Sequence, residues 1–462
     1  MSLTFAPKLA VARATGALSR RSGRGGGTTL PGRVLLRLAP DAIPRLASDL
    51  RGGTTIVSAT NGKTTTAGMI ASALRAAGRL PVHNRAGSNM SWGVATALLE
   101  QRGDEGLFEV DEAWLPRIAR ELDPRLIVLG NLFRDQLDRY GELERLADEW
   151  RRLVAERAPH TTFALNADDP LVADAGRDRE LRPRPGIVYF GIEDRGVALR
   201  ELQHAHDAKH CRRCGGAYSY EAAYMGHLGH YRCPRCGATR PRPDVAATRI
   251  ELGGMAGSQV EVATPEGTVE LLLPLPGLYN VYNALAALAA AGELGIDAAE
   301  AAAGIDATQA AFGRVETIDV DGVPVSILLI KNPAGANEVL RTLRLEVERE
   351  GGAARLDLWL ALNDRIADGR DVSWIWDADL ELLSEIAGRA VCTGTRAAEM
   401  AVRLKYAGFD PARIEVREGI DESLDLAVAG ARGRVFALPT YTALIELRRL
   451  LARRGLAAEY WR

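Results

Sequence analysis

A glycine–lysine segment near the start of the chain has the composition of a phosphate-binding loop. Residues 58–66 follow a β-branched apolar run and open a stretch with helical spacing. Backbone N–H groups at a helix N-terminus bind phosphate oxygens, a lysine reaches the β- and γ-phosphates, and a threonine hydroxyl ligates Mg²⁺. A simple turn is the alternative. We expect an ATP site, with Lys63 as a catalytic group and Thr64 as a Mg²⁺ ligand, built on Thr60, Asn61, Gly62, Lys63, Thr64 and Thr65.

Lysine is scarce in this chain, because arginine supplies nearly all of the positive charge. The five lysines are Lys8, Lys63, Lys209, Lys331 and Lys405. A slender ammonium fits a phosphate cradle that a planar guanidinium does not, so the presence of Lys63 favours the ATP site. Lys331 ends an apolar run before Asn332-Pro333, a turn signal. We expect it either to bind an acyl phosphate or the substrate, or simply to belong to that turn.

Four cysteines have the spacing of a zinc ribbon. Two C-x2-C pairs, Cys211/Cys214 and Cys233/Cys236, are separated by eighteen residues, and this spacing is typical of structural zinc sites. Two disulfides are the alternative, but the absence of a secretory leader favours a reducing cytosol. Four thiolates leave no open position for water, so we expect a structural rather than a catalytic metal.

Histidines crowd the same segment, and any of them could replace a cysteine ligand; we expect solvated loop residues at His204, His206, His210, His227 and His230. The fifth cysteine, Cys392, stands alone in an apolar, strand-like run. A small buried residue is the expected role there, rather than a nucleophile.

The elements that would position these groups alternate between strands and helices. In the first half we predict strands at 54–58, 126–129, 161–166 and 187–191, and helices at 64–77, 139–157 and 281–291. Residues 246–275 are predicted to form strands of a smaller sheet. In the second half the predicted strands are 325–330, 356–362, 390–393 and 435–438. This alternation indicates an α/β fold with mostly parallel sheets covered by helices.

Three regions follow from this organisation. Residues 1–50 form a basic N-terminal arm, helical or mobile, because the first forty residues hold seven Lys/Arg and no acid; contact with an anionic membrane or a phosphate-rich partner is an alternative role. Residues 51–312 form the ATP-binding domain, with the ribbon inserted at 204–242. Residues 313–462 form a C-terminal, Rossmann-like α/β domain.

Composition excludes several classes of protein. The chain has 462 residues, 47% hydrophobic and 26% charged, with a net charge of -2, so a disordered tail and a globally basic nucleic-acid binder are both disfavoured. No apolar run reaches the ~20 residues that a membrane-spanning helix requires. We expect a cytoplasmic protein.

Beyond the phosphate loop, several motifs resemble the Mur ligase superfamily in the same order along residues 50–450. The resemblance implies a Mg²⁺-binding glutamate at Glu109 and ATP contacts at Asn166, Asp168 and Asn280. Gln136 departs from the histidine that is usual there. The matching segments are Phe108–Glu112, Asn131–Gly141, Asn166–Asp169, Asn280–Ala287 and Gly313–Glu316, the last implying an ATP-facing Arg314. Simpler roles remain open: an exposed acidic run for Glu109, and turns or helix caps for the asparagines and Asp168.

The ribbon and two terminal segments, 331–335 and 368–377, resemble one family more narrowly, the MurT subunits of lipid II isoglutaminyl synthase. The resemblance implies ATP-dependent amidation of the α-carboxyl of D-glutamate in the stem peptide of lipid II. The carboxylate becomes an acyl phosphate, and ammonia comes from a GatD-type glutamine amidotransferase. Lys63, Arg314 and Mg²⁺ held by Thr64 and Glu109 would neutralise the phosphoryl charge. The acceptor is lipid II or a related muropeptide, so a peripheral contact with the inner face of the membrane follows from the substrate.

The nitrogen source adds an argument of its own. Ammonia is mostly protonated at neutral pH, so cells generate it in place from glutamine with a Cys–His pair. With four cysteines assigned to the ribbon, this chain has no suitable thiol, and a glutaminase must be a separate chain. The resemblance implies that Asp371 completes the partner's triad in trans, with Trp374 and Trp376 as interface anchors. The alternative is that Asp371 shapes an acidic loop or turn.

Two other functions compete with this interpretation. A stand-alone ligase would join an amino acid to a UDP-muramyl peptide or a folate; Gln136, the ribbon and the Asp371 segment argue against it. A nucleotide-dependent scaffold would bind nucleic acid through the basic ribbon residues, which are Arg212, Arg213, Arg232, Arg235, Arg240 and Arg242. The intact phosphate loop argues against the scaffold, and we expect no nucleic-acid partner.

Overall fold

The fold was obtained as a computed structural model. It describes residues 5–21, 29–84, 88–135, 143–157, 160–204, 206–308, 315–352 and 355–457. Its α-helices are α1 Ala6–Arg21, α2 Leu30–Leu38, α3 Ala42–Ala47, α4 Lys63–Ala76, α5 Ser91–Glu100, α6 Leu115–Leu122, α7 Leu143–Arg157, α8 Pro170–Ala173, α9 Leu278–Glu293, α10 Ala298–Asp306, α11 Pro333–Arg349, α12 Glu381–Ile386, α13 Ala397–Tyr406, α14 Ile420–Ala429 and α15 Tyr441–Arg453.

A nine-stranded sheet organises the first half of the chain. The strands there are β1 Thr54–Ser58, β2 Pro81–His83, β3 Glu105–Glu109, β4 Leu126–Leu129, β5 Thr162–Asn166, β6 Ile187–Ile192, β7 Ser219–Met225, β8 Leu228–Arg232, β9 Val245–Leu252, β10 Ser258–Thr264 and β11 Gly267–Leu273. The sheet order is β11-β10-β9-β6-β5-β4-β1-β3-β2, and β7 and β8 form a separate hairpin. Every pair from β9 to β2 is parallel, whereas β10 pairs antiparallel with both β9 and β11.

Helices cover both faces of this sheet, as parallel strands require. Strands β1 and β4 are buried along their whole length. Helices α4, α9 and α10 contribute to one apolar layer, and α3, α5, α6 and α7 contribute to the other. The predicted α/β class is confirmed, and the carboxyl ends of β1, β3 and β4 lie side by side at one edge of the sheet.

The prediction of a separate smaller sheet at 246–275 is wrong. Strand β9 pairs in parallel with β6, in the register Phe190↔Val245, and so extends the main sheet. Asp244 secures this junction, because its carboxylate accepts the Tyr189 N–H at 2.8 Å and its own N–H donates to the Tyr189 carbonyl at 2.7 Å. The meander β9–β10–β11 therefore forms the antiparallel edge of the large sheet.

The N-terminal residues that the sequence described as an arm fold into α1, α2 and α3 and pack on α5. Phe5, Leu9, Leu35 and Leu99 are buried in a shared apolar cluster. Gly32 permits the close approach, since a Cβ there would collide with the Trp92 carbonyl. Apolar contacts thus tie the described part of this segment to the body of the protein.

The ribbon lies in the connection between β6 and β9. Strands β7 and β8 pair antiparallel around a two-residue turn, Gly226-His227. Each C-x2-C pair is followed directly by a glycine with positive φ, Gly215 at +72° and Gly237 at +76°. Only glycine adopts this left-handed conformation without strain, so the sequence fixes both knuckles.

A six-stranded sheet organises the second half of the chain. Its strands are β12 Val315–Val320, β13 Val323–Leu328, β14 Leu356–Ala361, β15 Ala387–Thr393, β16 Ile414–Val416 and β17 Val435–Pro439. The order is β12-β13-β17-β14-β15-β16, parallel except for the edge pair β12–β13. Helices α11 to α15 flank it with an apolar cluster on each face. Among the described residues, no helix has the length and apolar character to cross a membrane.

Candidate active site

The phosphate loop connects β1 to α4, as predicted, and is held by a neighbouring strand end. Gly62, the residue before α4, has φ +92°, and a Cβ there would collide with the side chain of Asn283. The side-chain amide of Asn131, just beyond β4, accepts the Asn61 N–H at 2.9 Å and donates to the Asn61 carbonyl at 3.0 Å. The loop is therefore fixed before any ligand arrives, with its backbone at a helix N-terminus.

Lys63 is paired inside this loop. Its Nζ lies 2.7 Å from Oε2 of Glu112 and 2.5 Å from the carbonyl of Ala59. Burial alone would lower the pKa of Lys63, but the carboxylates of Glu112 and Asp111 outweigh it and raise the pKa. Conversely, Lys63 lowers the pKa of Glu112 despite burial. The lysine is a full cation whose charge is neutralised by an acid, which an incoming phosphate can replace.

Carboxylates converge beside the loop from neighbouring strand ends. Glu109 ends β3 and is 1% exposed; Asn84 holds its backbone by accepting the Glu109 N–H at 2.9 Å and donating to its carbonyl at 2.8 Å. Glu109, Asp111, Glu112 and Thr64 all line one cavity. Carboxylate and hydroxyl oxygens are the ligands that Mg²⁺ prefers, so this donor set suits a divalent cation.

That cavity has a volume of about 370 Å³ and lies between the two sheets. The loop residues from Thr60 to Thr65 line it, as does the beginning of α9 through Tyr279, Asn280 and Asn283. Asn280 donates to the Pro276 carbonyl at 2.8 Å and accepts from Asn283 at 3.1 Å. Its side chain is oriented by helix-start contacts and still faces the cavity.

Two residues from the second half of the chain, Lys331 and Asn332, contact the phosphate loop, and Lys331 also lines the cavity. Lys331 Nζ donates to the Thr60 carbonyl at 3.1 Å and lies 2.5 Å from Oδ2 of Asp135. Asn332, which caps α11, exchanges side-chain hydrogen bonds of 3.3 and 3.0 Å with Asn61. Asn332-Pro333, predicted as a turn, is instead the start of α11, and it brings Lys331 to the phosphate loop.

Two residues assigned to ATP binding lie elsewhere. Asn166 and Asp168 are fully buried and do not line the cavity. Asp168 accepts hydrogen bonds from the Ile192 N–H at 2.9 Å and the Tyr282 hydroxyl at 2.7 Å, and it pairs with Arg240 at 2.5 Å. In this structure it joins β6, α9 and the end of the ribbon insertion. The predicted Arg314, together with Gln136, falls outside the described residues.

The four ribbon cysteines form a cluster that can hold a metal. Their sulfurs lie within 4.8 Å of one another, and Cys211–Cys236 and Cys214–Cys233 are 3.6 and 3.4 Å apart. A disulfide requires about 2.05 Å, whereas a tetrahedron of ~2.3 Å Zn–S bonds has edges near 3.8 Å. The geometry matches four thiolates around one ion.

The nearby histidines are not part of this cluster, and the prediction that they are solvated is wrong for two of them. His206 is 8% exposed and His227 is 0% exposed. The His227 ring lies 4.7 Å from that of Phe133, and its Nε2 is 3.3 Å from Oδ1 of Asp169. Burial would lower the pKa of His227, but Asp169 outweighs it and raises the pKa. The turn of the hairpin packs against Phe133 and Asp169, which buries His227, and His206 packs on the Tyr220 ring of the same hairpin.

Asp371 does not line the cavity between the two sheets; it lies in the segment after β14, of which Ala367 lines that cavity. It is exposed, and its Oδ1 accepts the Ser373 N–H at 2.8 Å, at the start of a single 3₁₀ turn, Ser373–Trp376. Hydrogen bonds from Ser373 lower its pKa, so it is a carboxylate at neutral pH. Five residues further along, Trp376 is 51% exposed, and its ring lies 5.9 Å from that of Tyr406, tilted by 54°; Tyr406 is 71% exposed.

Cys392 is fully buried in β15, as expected. Burial raises the pKa of its thiol to about 12. A thiol with that pKa carries almost no nucleophilic thiolate at neutral pH.

Sequence reasoning missed several groups that contact the predicted site. Glu112 was treated only as one acid of a run, although it lies three residues beyond Glu109 and could have been predicted to reach the same site. Asp135 and Asn332 belong to the segments 131–141 and 331–335 that carry the resemblance, but neither was predicted to have a role of its own. Met225 of the ribbon hairpin lines the cavity, and no local pattern indicates this, because the contact depends on how the insertion folds back.

Comparisons with known proteins agree with this architecture. The model of the Mur ligase middle domain matches residues 57–231, and that of the MurT ligase C-terminal region matches residues 329–444. Among solved structures, a pseudomurein peptide ligase type C from Methanothermus fervidus superposes with TM-score 0.68 at 23% identity, covering 89% of this chain and 80% of that one. MurF from Acinetobacter baumannii gives 0.62 at 18% identity, covering 91% and 80%. These two show the shared fold.

The curated relatives are more specific. The MurT subunit of lipid II isoglutaminyl synthase (glutamine-hydrolyzing) from Streptococcus pneumoniae is 33% identical over 445 residues, which cover 94% of each chain. The same subunit from Staphylococcus aureus strain N315 is 30% identical, covering 91% of this chain and 92% of the relative. With this similarity along nearly its whole length, the chain belongs to the family of MurT subunits of lipid II isoglutaminyl synthase, within the Mur ligases.

Proposed function

We propose that this chain is the ATP-dependent synthetase subunit that amidates the α-carboxyl of D-glutamate in the stem peptide of lipid II. The observation that carries the proposal is the cavity between the two sheets. It joins a preformed phosphate loop, a cluster of carboxylates and Lys331 from the second half of the chain. Together with the membership of the MurT family, this arrangement favours transfer of a phosphoryl group to a carboxylate.

The reaction balances in two steps. The acceptor carboxylate attacks the γ-phosphorus of ATP, ADP leaves, and an acyl phosphate forms. Ammonia then attacks the acyl carbon, the bond between this carbon and the phosphate oxygen breaks, and the departing phosphate takes up the proton that the nitrogen loses. Lys63 exchanges Glu112 for the phosphates. Thr64 and Glu109 would hold Mg²⁺, which would supply positive charge to the transferring phosphoryl group. Asn280 binds the nucleotide, and Lys331 orients the phosphorylated acceptor. Arg314 adds a further cation from the start of the second half.

The four clustered cysteines hold zinc in a structural role. Thiolate ligands favour zinc among the common divalent ions, and a site filled by four of them leaves no position for substrate. The support is that the four sulfurs lie within 4.8 Å of one another, close enough for one ion to bind all of them. The metal therefore stabilises the ribbon and takes no part in the chemistry.

Ammonia comes from a GatD-type glutamine amidotransferase that binds near Asp371. The chain's own thiols do not fit a glutaminase, since four lie in the cluster and burial raises the pKa of Cys392. An exposed carboxylate beside exposed aromatic residues supports an interface here: Asp371 orients the partner's histidine, and Trp376 and Tyr406 anchor the contact. Because lipid II is membrane-bound, the complex works at the inner face of the membrane through its substrate.

Two substitutions test the proposal in the complex. Asp371→Asn should abolish amidation driven by glutamine and leave amidation driven by ammonium salt intact, because only the partner's triad loses a member. Asp364→Asn, in the same loop, is the matched control and should leave both activities. If both activities fell together in Asp371→Asn, Asp371 would belong to the synthetase half.

Lys63→Ala tests the ATP site. It should remove both activities and nucleotide binding, since no other cation on α4 replaces its charge at the loop. Lys405→Ala, which removes a lysine remote from the cavity, is the control and should change neither activity. Unchanged amidation by Lys63→Ala would overturn the assignment of this loop.

A further inference from the structure

The hairpin of the ribbon reaches from the cysteine cluster to the cavity. Tyr224 and Met225, at the end of β7, are 0% and 1% exposed and belong to an apolar cluster shared with α4 and α9. Met225 lines the cavity together with Asn280 and the phosphate loop. The ribbon therefore contributes a side chain to a site that lies outside it.

The hairpin is anchored to the first half of the chain on both sides of its turn. The Gly229 N–H donates to the Asp168 carbonyl at 2.9 Å, and the Gly226 N–H donates to Oε1 of Gln203 at 2.7 Å. Between them, His227 packs against Phe133, another residue that lines the cavity. These contacts fix the position of Met225 relative to the phosphate loop.

The second half of the chain holds the same hairpin through one arginine. Arg341 of α11 donates to the Tyr224 carbonyl at 3.1 Å and to the Val197 carbonyl at 2.6 Å. Val339, two residues earlier on α11, lines the cavity. One guanidinium thus joins the ribbon to the helix that begins beside the phosphate loop, and its planar fork suits two carbonyls in a way that an ammonium does not.

The side chains around Met225 have the chemistry of a purine site. Met225, Leu275, Tyr279 and Val339 supply apolar surface to the cavity, and the amides of Asn280 and Asn283 supply donors and acceptors. A purine has flat apolar faces and a polar edge, and a thioether packs favourably on aromatic rings. The phosphate loop and the carboxylates of the same cavity suit the other end of a nucleotide.

We infer that the ribbon hairpin forms a wall of the adenine site, with Met225 in contact with the base and Arg341 as the positioning residue that fixes this wall to the second half of the chain. The inference rests on the proposed function in one respect, that ATP enters this cavity. It assigns the ribbon a role in nucleotide affinity in addition to its role in folding.

The test is direct titration of the whole protein with a Mg²⁺–nucleotide, MgADP or a non-hydrolysable MgATP analogue, by calorimetry. Met225→Ala should weaken binding about tenfold, because it removes the apolar contact with the base, while the KM for the acceptor stays unchanged. Met225→Leu restores most of that contact and should bind within about twofold of the unmodified protein. Arg232→Ala, an exposed residue on the same hairpin, is the control and should bind normally.

Arg341 is tested in the same titration. Arg341→Ala and Arg341→Lys should both weaken nucleotide binding several-fold, since neither spans the two carbonyls. Thermal unfolding of each variant separates this effect from a loss of fold. If Met225→Ala and Arg341→Ala unfolded at lower temperature but bound nucleotide like the unmodified protein, the hairpin would be packing only, and the inference would be overturned. If Lys63→Ala also bound nucleotide normally, the proposed ATP site itself would fail.

Discussion

Replacing Asp168 by asparagine decides whether this carboxylate supports the fold or the nucleotide. One oxygen of Asp168 accepts from Ile192 and Tyr282, and the other pairs with Arg240. An asparagine keeps one of these oxygens and presents an NH₂ group in place of the other. In either orientation the amide faces a donor, so at least one buried hydrogen bond becomes a donor–donor clash.

The magnitude follows from the burial of the pair. Asp168 is 0% exposed and the Arg240 side chain is 9% exposed, and breaking one partner of a buried ion pair costs about 3–5 kcal/mol. Arg240 keeps two other contacts, Glu193 at 2.7 Å and the Ile192 carbonyl at 2.9 Å. These partly compensate its charge, so we expect a loss of about 3 kcal/mol in the free energy of unfolding.

Urea unfolding followed by tryptophan fluorescence measures this loss, because Trp150 is fully buried in the first half of the chain. Asp49→Asn, at an exposed acid that follows α3, is the control. The nucleotide affinity of folded Asp168→Asn should match that of the unmodified protein, since Asp168 does not line the cavity. A variant with unchanged stability and weakened nucleotide binding would refute this reasoning and return Asp168 to the ATP site.

Three further outcomes are expected. Burial raises the pKa of Glu338, so the contribution of this side chain to the free energy of unfolding is present below the ordinary carboxyl pKa and is lost as pH rises through the raised value. In urea titrations, Glu338→Gln should therefore become progressively more stable than the unmodified protein toward neutral pH. Stabilities of the two proteins that vary with pH in parallel would contradict this. Chelation should lower the melting temperature and expose four reactive thiols, because structural zinc supplies roughly 10–16 kcal/mol of apparent binding energy in small peptides; an unchanged melting temperature would make the metal dispensable. Cys392, whose pKa burial raises to about 12, should resist iodoacetamide until the protein unfolds, and rapid labelling of the folded state would contradict its burial.

The fold was predictable for segments whose amino-acid composition alone indicates how deeply they are buried. Strands β1 and β4 are runs of β-branched and apolar residues buried on both faces, and their predicted bounds, 54–58 and 126–129, are those of the structure. Residues 246–275 were misplaced because β10 alternates buried and exposed residues, as any antiparallel sheet with one solvated face does. Its connection to the main sheet through β6 is a distant pairing that no local pattern encodes.

The candidate site was predictable where its residues are contiguous in the sequence. The phosphate loop needs a strand, a glycine, a lysine and a helix in sequence, and all four are contiguous at Lys63. Glu112 and Met225 line the same cavity, and Asn332 binds Asn61 of the loop, each from a segment outside the loop. Their contribution therefore depends on tertiary packing. Asp168 shows the opposite case: its motif position predicts a nucleotide contact, whereas the structure places its buried carboxylate against Ile192, Arg240 and Tyr282. The Asp168→Asn variant decides between these two roles.

The ribbon lies in the connection between two adjacent parallel strands, and at this position a long insertion adds little to the entropy cost of closing the loop. Strands β6 and β9 are paired at Phe190↔Val245, so the sheet holds both ends of the link close together. Residues 193–244 are about four times the ~12 residues of a minimal crossover, and each doubling of a loop adds only about 0.6 kcal/mol of closure entropy. A whole folded module can therefore be accommodated at this junction while β6 and β9 keep their parallel register.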